Sequence, residues 1–277
     1  MRRDKLARRS SIISAVLTSA LVLAACSGGS SGSSSSGTTA TSSGGKTLQI
    51  LVTNDDGVSA PGINAVVQAL RTVPGTTVTV VAPATNQSGT GGKTTGGALA
   101  VTNTTTASGY PAKAVAGYPA DTIIWAVDQK GLPTRPGVVV SGVNDGANLG
   151  PLTTLSGTVG AAKAAASRGI PALAASQGDD NNLPPDFQAG ARQVVDWINQ
   201  HRASLTSGSS PSPALLDNLN VPTCATGSVR GPVQAPVATS ITGRDIDHVD
   251  CTSTAHNPPD DVAAFQEGFA VISPLNG

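Results

Sequence analysis

Short apolar runs alternate with helical patterns along most of this chain, and no other feature restricts the fold as much. The predicted strands are 48–53, 77–82, 138–143, 171–175, 215–221 and 269–273, and the predicted helices are 62–73, 119–129, 156–167 and 185–202. Strands this apolar need cover on both faces, and repeated strand–helix units join parallel strands. The sequence therefore predicts an α/β fold, a Rossmann-like, doubly wound and mostly parallel sheet with helices on both faces. The Gly-, Thr- and Ser-rich stretch 86–109 interrupts the pattern as a hairpin or a mobile loop.

The first 26 residues have the pattern of a bacterial lipoprotein signal. A basic start is followed by an apolar segment from Ile12 to Ala25 and by Leu23-Ala24-Ala25-Cys26, which resembles a lipobox. We expect Cys26 to carry lipid and to become the mature N-terminus, although a cleaved signal or a short membrane anchor would begin in a similar way. Residues 27–46 are mostly Ser, Gly and Thr and predict a flexible tether. Residues 47–277 then form one domain, exported and anchored at the outer face of the membrane.

The charge balance excludes one class of partner. The chain has 17 basic and 17 acidic residues, and five of the basic residues and one acidic residue precede Cys26, which leaves 12 basic and 16 acidic residues. A mildly acidic domain without a basic run and with few aromatic residues is not typical of proteins that bind nucleic-acid polymers.

Two cysteines remain after the leader, Cys224 and Cys251. In an exported protein such a pair favours a disulfide over a metal pair or a nucleophile. The histidines, His201, His248 and His256, lack the spacing of metal ligands, so we do not expect a zinc site of the His/Cys type.

The first predicted strand ends in Asn54-Asp55-Asp56-Gly57, which places two carboxylates where a parallel strand stops. Adjacent strand residues point to opposite faces, so the two carboxylates converge only if the backbone bends, as Gly57 permits. Carboxylates held together favour a hard divalent cation between them. The alternative is an Asx turn without any ligand.

Three further polar groups follow predicted strands or open a helix. Ser88 comes after the second strand, in Asn86-Gln87-Ser88-Gly89, and Asn144 follows the strand at 138–143. Ser156, Gly157 and Thr158 open the next helix, where free amides and the helix dipole attract an anion such as phosphate. The alternatives are a polar turn at Ser88 and an ordinary N-cap at Ser156.

These motifs together resemble the SurE family of survival-protein phosphatases. The resemblance rests on Asn-Asp-Asp-Gly, Asn-Gln-Ser-Gly, Ser-Gly-Val-Asn-Asp-Gly-Ala-Asn-Leu-Gly and Ser-Gly-Thr-Val in this order, and it extends from Leu48 to Leu275. It implies a SurE-like three-layer sandwich and hydrolysis of nucleoside monophosphates or other phosphomonoesters. It also implies one Mg²⁺ or Mn²⁺ ion on Asp55, Asp56, Ser88 and Asn144, with Asp55, Asp56 and Asn144 catalytic. Phosphate contacts would come from Asn54, Ser156, Gly157 and Thr158, and an aspartate would move the proton.

The chain also departs from the family pattern. Gln87 stands where many relatives have arginine, the hairpin in about 225–260 is shorter, and the helix beyond Pro274 is missing. Relatives exchange these segments between subunits, so the homodimer that the resemblance implies would lack them.

Two other functions fit parts of the sequence. One is a lipid-anchored protein that binds a phosphorylated ligand without turnover. The other is a covalent aspartyl phosphatase, which is disfavoured because Asn54 stands where its nucleophile belongs. A serine hydrolase lacks its Gly-x-Ser-x-Gly elbow in this sequence.

Overall fold

The computed structural model describes residues 46–179, 183–208 and 213–275. The predicted signal, Cys26 and the tether as far as residue 45 lie outside these ranges. Among the helices that the structure describes, none has the length and apolar character needed to cross a membrane.

Nine strands in the described ranges form one sheet, and five α-helices accompany them. The strands are β1 (Leu48–Thr53), β2 (Thr76–Pro83), β3 (Val101–Thr105), β4 (Pro111–Val115), β5 (Val138–Asp145), β6 (Ala172–Gln177), β7 (Leu216–Val221), β8 (Arg230–Gln234) and β9 (Phe269–Pro274). The helices are α1 (Pro61–Leu70), α2 (Pro119–Ile123), α3 (Gly157–Ala166), α4 (Phe187–Thr206) and α5 (Asp261–Gln266). A wider turn, Ile124–Asp128, continues α2, and a 3-10 turn, Gly150–Thr154, precedes α3.

The sheet has the order β3-β4-β2-β1-β5-β6-β7-β9-β8, and its central strands run parallel. β3 is antiparallel to β4, and β9 is antiparallel to β7. β2 and β4 lie on one side of β1. The next strand along the chain, β5, lies on the other side of β1. The strand order therefore reverses between β1 and β5, which is where open α/β sheets bind ligands.

Helices cover both faces, which confirms the predicted layers. On one face α1 and α4 bury Ile63, Val67 and Trp197 against the sheet. On the other face α2 and α3 contribute Ile123 and Val159. Leu51 and Val139 face the second cluster, whereas their strand neighbours face the first, as the two-residue period of a strand requires.

All six predicted strands and all four predicted helices are present, with ends shifted by a few residues. The interrupting stretch proves to be a loop followed by the hairpin β3–β4, which begins only at Val101. β8 and α5 were not predicted, because both are short and β8 contains a proline. β8 lies at the edge of the sheet, where a proline costs no interior hydrogen bond.

The loop after β7 is joined to the segment before α5 by a disulfide. Cys224 and Cys251, 27 residues apart in the chain, are bonded with their Cα atoms 5.8 Å apart. This is the pairing that the sequence predicts, and it closes the least regular part of the domain.

Candidate active site

The carboxyl ends of β1 and β5 meet at the point where the strand order reverses. Thr53 pairs with Ser141 in the sheet, so the residues after each strand leave it side by side. Asn54 starts the turn after β1, and its Nδ2 donates to the carbonyl of Gly57 at 2.9 Å. Gly57 has a φ of 102°, and a Cβ there would lie 3.1 Å from the carbonyl carbon of Thr85. The turn therefore requires glycine and packs against the loop that follows β2.

Asp55 is held by the first turn of α3. Its Oδ1 accepts from the Thr158 hydroxyl at 2.6 Å and its Oδ2 from the Thr158 amide at 3.1 Å. Gly157 allows this approach, because a Cβ there would lie 2.8 Å from Asp55 Cβ. Asp55 is only 2% exposed, and burial raises the pKa of its carboxyl above the usual value while the bonds from Thr158 oppose the rise.

Asp56 is half-buried beside Asp55 and has a different environment. Burial first, and then the charges of Asp55 and Asp145, raise the pKa of Asp56 to about 7, against one hydrogen bond from the Asp145 amide at 3.2 Å. Two carboxylates in this arrangement repel each other, and a cation between them would remove the repulsion.

Asn144 follows an irregularity in the pairing of β5 with β6. The register of β5 against β6 shifts between Ser141 and Asn144. Gly142 makes the shift feasible, because a Cβ there would lie 2.2 Å from the carbonyl oxygen of Ala175. The Asn144 amide group donates to the carbonyls of Gly146 at 2.7 Å and of Asp145 at 3.2 Å. Both of its hydrogens are thus engaged, and its Oδ1 remains as an acceptor.

Ser88 lies in the exposed loop after β2. Its amide donates to Asn86 Oδ1 at 2.9 Å, and the amide of its neighbour Gln87 donates to the backbone carbonyl of Asp55 at 2.6 Å. The loop is therefore tied to the backbone of Asp55. Within the described ranges the Ser88 hydroxyl makes no hydrogen bond, so it is available to a ligand.

These oxygen atoms fit a hard divalent ion. Two carboxylates, the Asn144 amide oxygen and the Ser88 hydroxyl are the ligand types that Mg²⁺ and Mn²⁺ prefer. Asn54 Oδ1, in the same turn, is buried without a described hydrogen-bond partner. No group of three or more His, Cys, Asp or Glu side chains suited to a metal occurs among residues 46–179, 183–208 and 213–275.

A family model for the survival protein SurE matches residues 50–244, which is more than half of the chain. The chain belongs to the SurE family. The 5′-nucleotidase SurE of Xanthomonas campestris pv. campestris is 39% identical over 184 residues, 66% of this chain and 67% of that protein. The 5′-nucleotidase SurE of Pelobacter propionicus is 39% identical over 208 residues, 73% of this chain and 78% of that protein. That of Methanopyrus kandleri is 46% identical over 183 residues, 63% and 66% of the two chains.

The solved SurE protein from Aquifex aeolicus has a similar fold. It superposes with a TM-score of 0.64 at 26% sequence identity, over 82% of this chain and 93% of that one. The match confirms the predicted SurE-like α/β sandwich.

Two residues of the predicted phosphate cradle of this SurE-family chain have partners within the chain. Ser156 Oγ accepts from the Val159 amide at 3.1 Å, so it caps α3. The amide and hydroxyl of Thr158 are engaged with Asp55. Asp55 is itself an anion at the helix N-terminus and therefore attracts these donors. The role of Ser156, Gly157 and Thr158 in phosphate binding stays a prediction.

Asn54 has a structural contact in the turn after β1. It is fully buried, and its amide group closes the turn after β1. This contact positions the turn that carries the aspartates, and the role of Asn54 in phosphate binding stays a prediction. Sequence reasoning also missed Asp145, although it directly follows Asn144.

Proposed function

We propose that this SurE-family protein is a metal-dependent phosphomonoesterase that hydrolyses nucleoside monophosphates to nucleoside and phosphate. The observation that carries the proposal is the pair Asp55 and Asp56 at the switch between β1 and β5, with the pKa of both carboxyls raised and neutral oxygens beside them. The names of the curated relatives, 5′-nucleotidase SurE, support the substrate class.

Each residue of the site has a part in this chemistry. A bound Mg²⁺ or Mn²⁺ would supply Lewis-acid polarisation of the phosphoryl oxygens and a lowered pKa for water. Asp55, fixed by Thr158, and Asp56 provide the negative ligands. Asn144 and Ser88 provide neutral oxygens, which limits the charge of the site and so preserves attraction for an anionic substrate. One of the two aspartates handles the proton of the attacking water.

The N-terminus of α3 acts on phosphate mainly indirectly, through Asp55. Its dipole and the donors of Thr158 stabilise the charged form of Asp55, which in turn holds the ion. Ser156 maintains the helix start through its cap. We therefore expect substitutions in Ser156, Gly157 and Thr158 to weaken metal binding as well as phosphate binding.

The test is phosphate release by the full chain in mild detergent. Nucleoside monophosphates are offered with Mg²⁺, with Mn²⁺ or with EDTA, and the double variant Asp55→Asn, Asp56→Asn is compared with Asp196→Asn, which changes an exposed aspartate on α4. We expect release that needs metal, survives Asp196→Asn and disappears in the double variant. The proposal is wrong if the folded chain binds nucleotide but releases no phosphate with either metal. That result would favour the alternative of a lipid-anchored binding protein.

We further propose that residues 1–26 are a lipoprotein signal, that Cys26 carries lipid, and that residues 27–46 tether an exported domain to the outer face of the membrane. The disulfide Cys224–Cys251 supports an oxidising location. Radiolabelled palmitate should enter the wild type and not a Cys26→Ala variant in a bacterial host. An unlabelled wild type in the soluble fraction would contradict the anchor.

We further propose that the chain forms a homodimer. Analytical ultracentrifugation of the detergent-solubilised chain measures it directly. A single monomer species at micromolar concentration would contradict this proposal.

A further inference from the structure

A cavity of about 430 Å³ opens between the loop that carries Ser88 and the start of α2. Its lining residues are Gln87, Thr94, Thr95, Gly117 and Tyr118. The volume lies within the range of about 300–1,000 Å³ that is usual for small-molecule sites. Gln87, Thr94 and Thr95 come from the loop between β2 and β3, and Gly117 and Tyr118 lie immediately before α2.

Residues on both sides of this cavity are linked to Asp55 by short contacts. On one side the amide of Gln87 donates to the backbone carbonyl of Asp55 at 2.6 Å. On the other side Pro119, which follows Tyr118, packs against Gly157, where a Cβ would lie 3.0 Å from Pro119 Cγ and 2.8 Å from Asp55 Cβ. The two sides of the cavity are therefore connected to Asp55, one through its backbone and the other through Gly157.

Asp121 fixes the two walls relative to each other. It is 1% exposed and accepts from the Thr95 hydroxyl at 2.7 Å, from the Thr95 amide at 3.1 Å and from the Tyr118 amide at 2.8 Å. Gly117 lies against the same carboxylate, because a Cβ there would be 2.6 Å from Asp121 Oδ2. The cavity is thus formed before a ligand arrives, and preorganisation of this kind favours binding.

Tyr118 is the aromatic residue in the lining, and it stands at the N-cap of α2. It is half-buried, and its hydroxyl makes no hydrogen bond to any part of the chain that is described. The other tyrosine, Tyr110, donates its hydroxyl to the carbonyl of Val78 at 2.7 Å and lies under the guanidinium of Arg71. Tyr118 therefore presents a free aromatic surface at the opening beside the site.

We propose that this cavity binds the nucleoside part of the substrate, with the base stacked on the ring of Tyr118 and the sugar hydroxyls facing Gln87 and Thr94. This inference rests on the proposed function and adds the residue that selects the substrate. Every base has a π-face, so stacking on one aromatic side chain attracts nucleotides as a class and discriminates little among them. Purine and pyrimidine monophosphates should accordingly be used with similar efficiency, and phosphate esters without a base should be poor substrates.

The test compares kcat/KM for AMP, UMP and ribose 5-phosphate in the full chain with the metal that supports release. Tyr118→Ala should lower kcat/KM for AMP and UMP by roughly tenfold or more, the range that loss of one stacking residue implies, and leave ribose 5-phosphate within about twofold. Tyr118→Phe should retain the preference, because it keeps the ring. Leu155→Ala, which truncates an apolar side chain that is 60% exposed just before α3, is the matched control and should leave the ratio unchanged.

Two outcomes would overturn the inference. One is an equal loss on all three substrates in Tyr118→Ala, and the other is loss of the preference in Leu155→Ala in place of Tyr118→Ala. If the wild type releases no phosphate at all, the proposed function fails separately. In that case calorimetry measures the binding of AMP and ribose 5-phosphate to the wild type and to Tyr118→Ala. Weaker AMP binding in the variant supports the proposed stacking on Tyr118, and equal binding refutes it.

Discussion

The hydroxyl of Thr158 makes the shortest described contact to the carboxylate of Asp55, and the substitution Thr158→Val isolates that contact. Thr158 is fully buried, and its Oγ1 donates to Asp55 Oδ1 at 2.6 Å from a position 103 residues away in the chain. Valine keeps the branched shape and the helical rotamer preference, so the substitution removes a donor without opening a cavity. The Thr158 amide, at 3.1 Å from Oδ2, remains.

The size of the effect follows from the charge and burial of the acceptor. A hydrogen bond to a charged group contributes about 1.5–3 kcal/mol, and water does not replace the donor at an aspartate that is 2% exposed. We expect the Thr158→Val substitution to lower the free energy of unfolding by about 2 kcal/mol, and the melting temperature of a domain of this size by roughly 4–8 °C. The affinity for Mn²⁺ should fall about 10- to 100-fold, as is typical when a partner of a metal ligand is removed.

The assay is urea unfolding at pH 8 in EDTA, followed by Mn²⁺ titration. The control is Thr154→Val, which removes an exposed hydroxyl that donates to the Pro151 carbonyl at 2.8 Å and should cost less than about 1 kcal/mol. If Thr158→Val and Thr154→Val unfold at the same free energy and bind Mn²⁺ as the wild type does, α3 does not hold Asp55 in place and the proposed metal site is wrong.

Three further predictions test the turn, the disulfide and the charge of the site. Gly142→Ala should destabilise the fold by about 3 kcal/mol or more in urea unfolding, because its Cβ would lie 2.2 Å from the Ala175 carbonyl oxygen; a wild-type midpoint would contradict this. The double substitution Cys224→Ser, Cys251→Ser should cost about 3.5 kcal/mol, the loop entropy for a separation of 27 residues, and reductant should lower wild-type stability by the same amount. The pKa of Asp56 is about 7 in the folded chain, against 3.8 for an ordinary aspartate in the unfolded chain. The charged carboxylate therefore destabilises the metal-free fold fully above about pH 7, and this loss of stability shrinks as the pH falls from 7 towards 3.8. Since protons compete with the ion, Mn²⁺ should raise the melting temperature more at pH 8 than at pH 5.5, and an equal shift at both would refute this.

The sequence predicts those features of the molecule that local pattern determines. Apolar runs of strand length indicated the central strands, and an abrupt polar ending located Asp55 and Asp56 at the correct edge of the sheet. The cysteine count and the expected compartment indicated the pairing of Cys224 with Cys251. β8 was not predicted, because a strand of five residues that includes a proline has no clear alternation of apolar and polar residues.

What the sequence does not predict are the contacts between segments distant along the chain. No local signal shows that Thr158 bonds Asp55 across 103 residues, or that Asp121 joins Thr95 to Tyr118. The roles of Thr158 and Asn54 in phosphate binding stay predictions from their motifs. Their actual partners depend on which strand ends meet, and that is a property of the whole sheet.

The two adjacent aspartates differ physically although they are neighbours in sequence. Asp55 is buried at a helix N-terminus, where dipole and donors favour its charged form against the cost of burial. Asp56 has one weak backbone bond and a repelling neighbour, and it retains more exposure. A group fixed on both oxygens suits the permanent ligand of an ion, whereas a group with fewer restraints suits the side on which water and phosphate exchange. We therefore expect Asp55→Asn to abolish metal binding, and Asp56→Asn to reduce turnover more than it reduces metal binding.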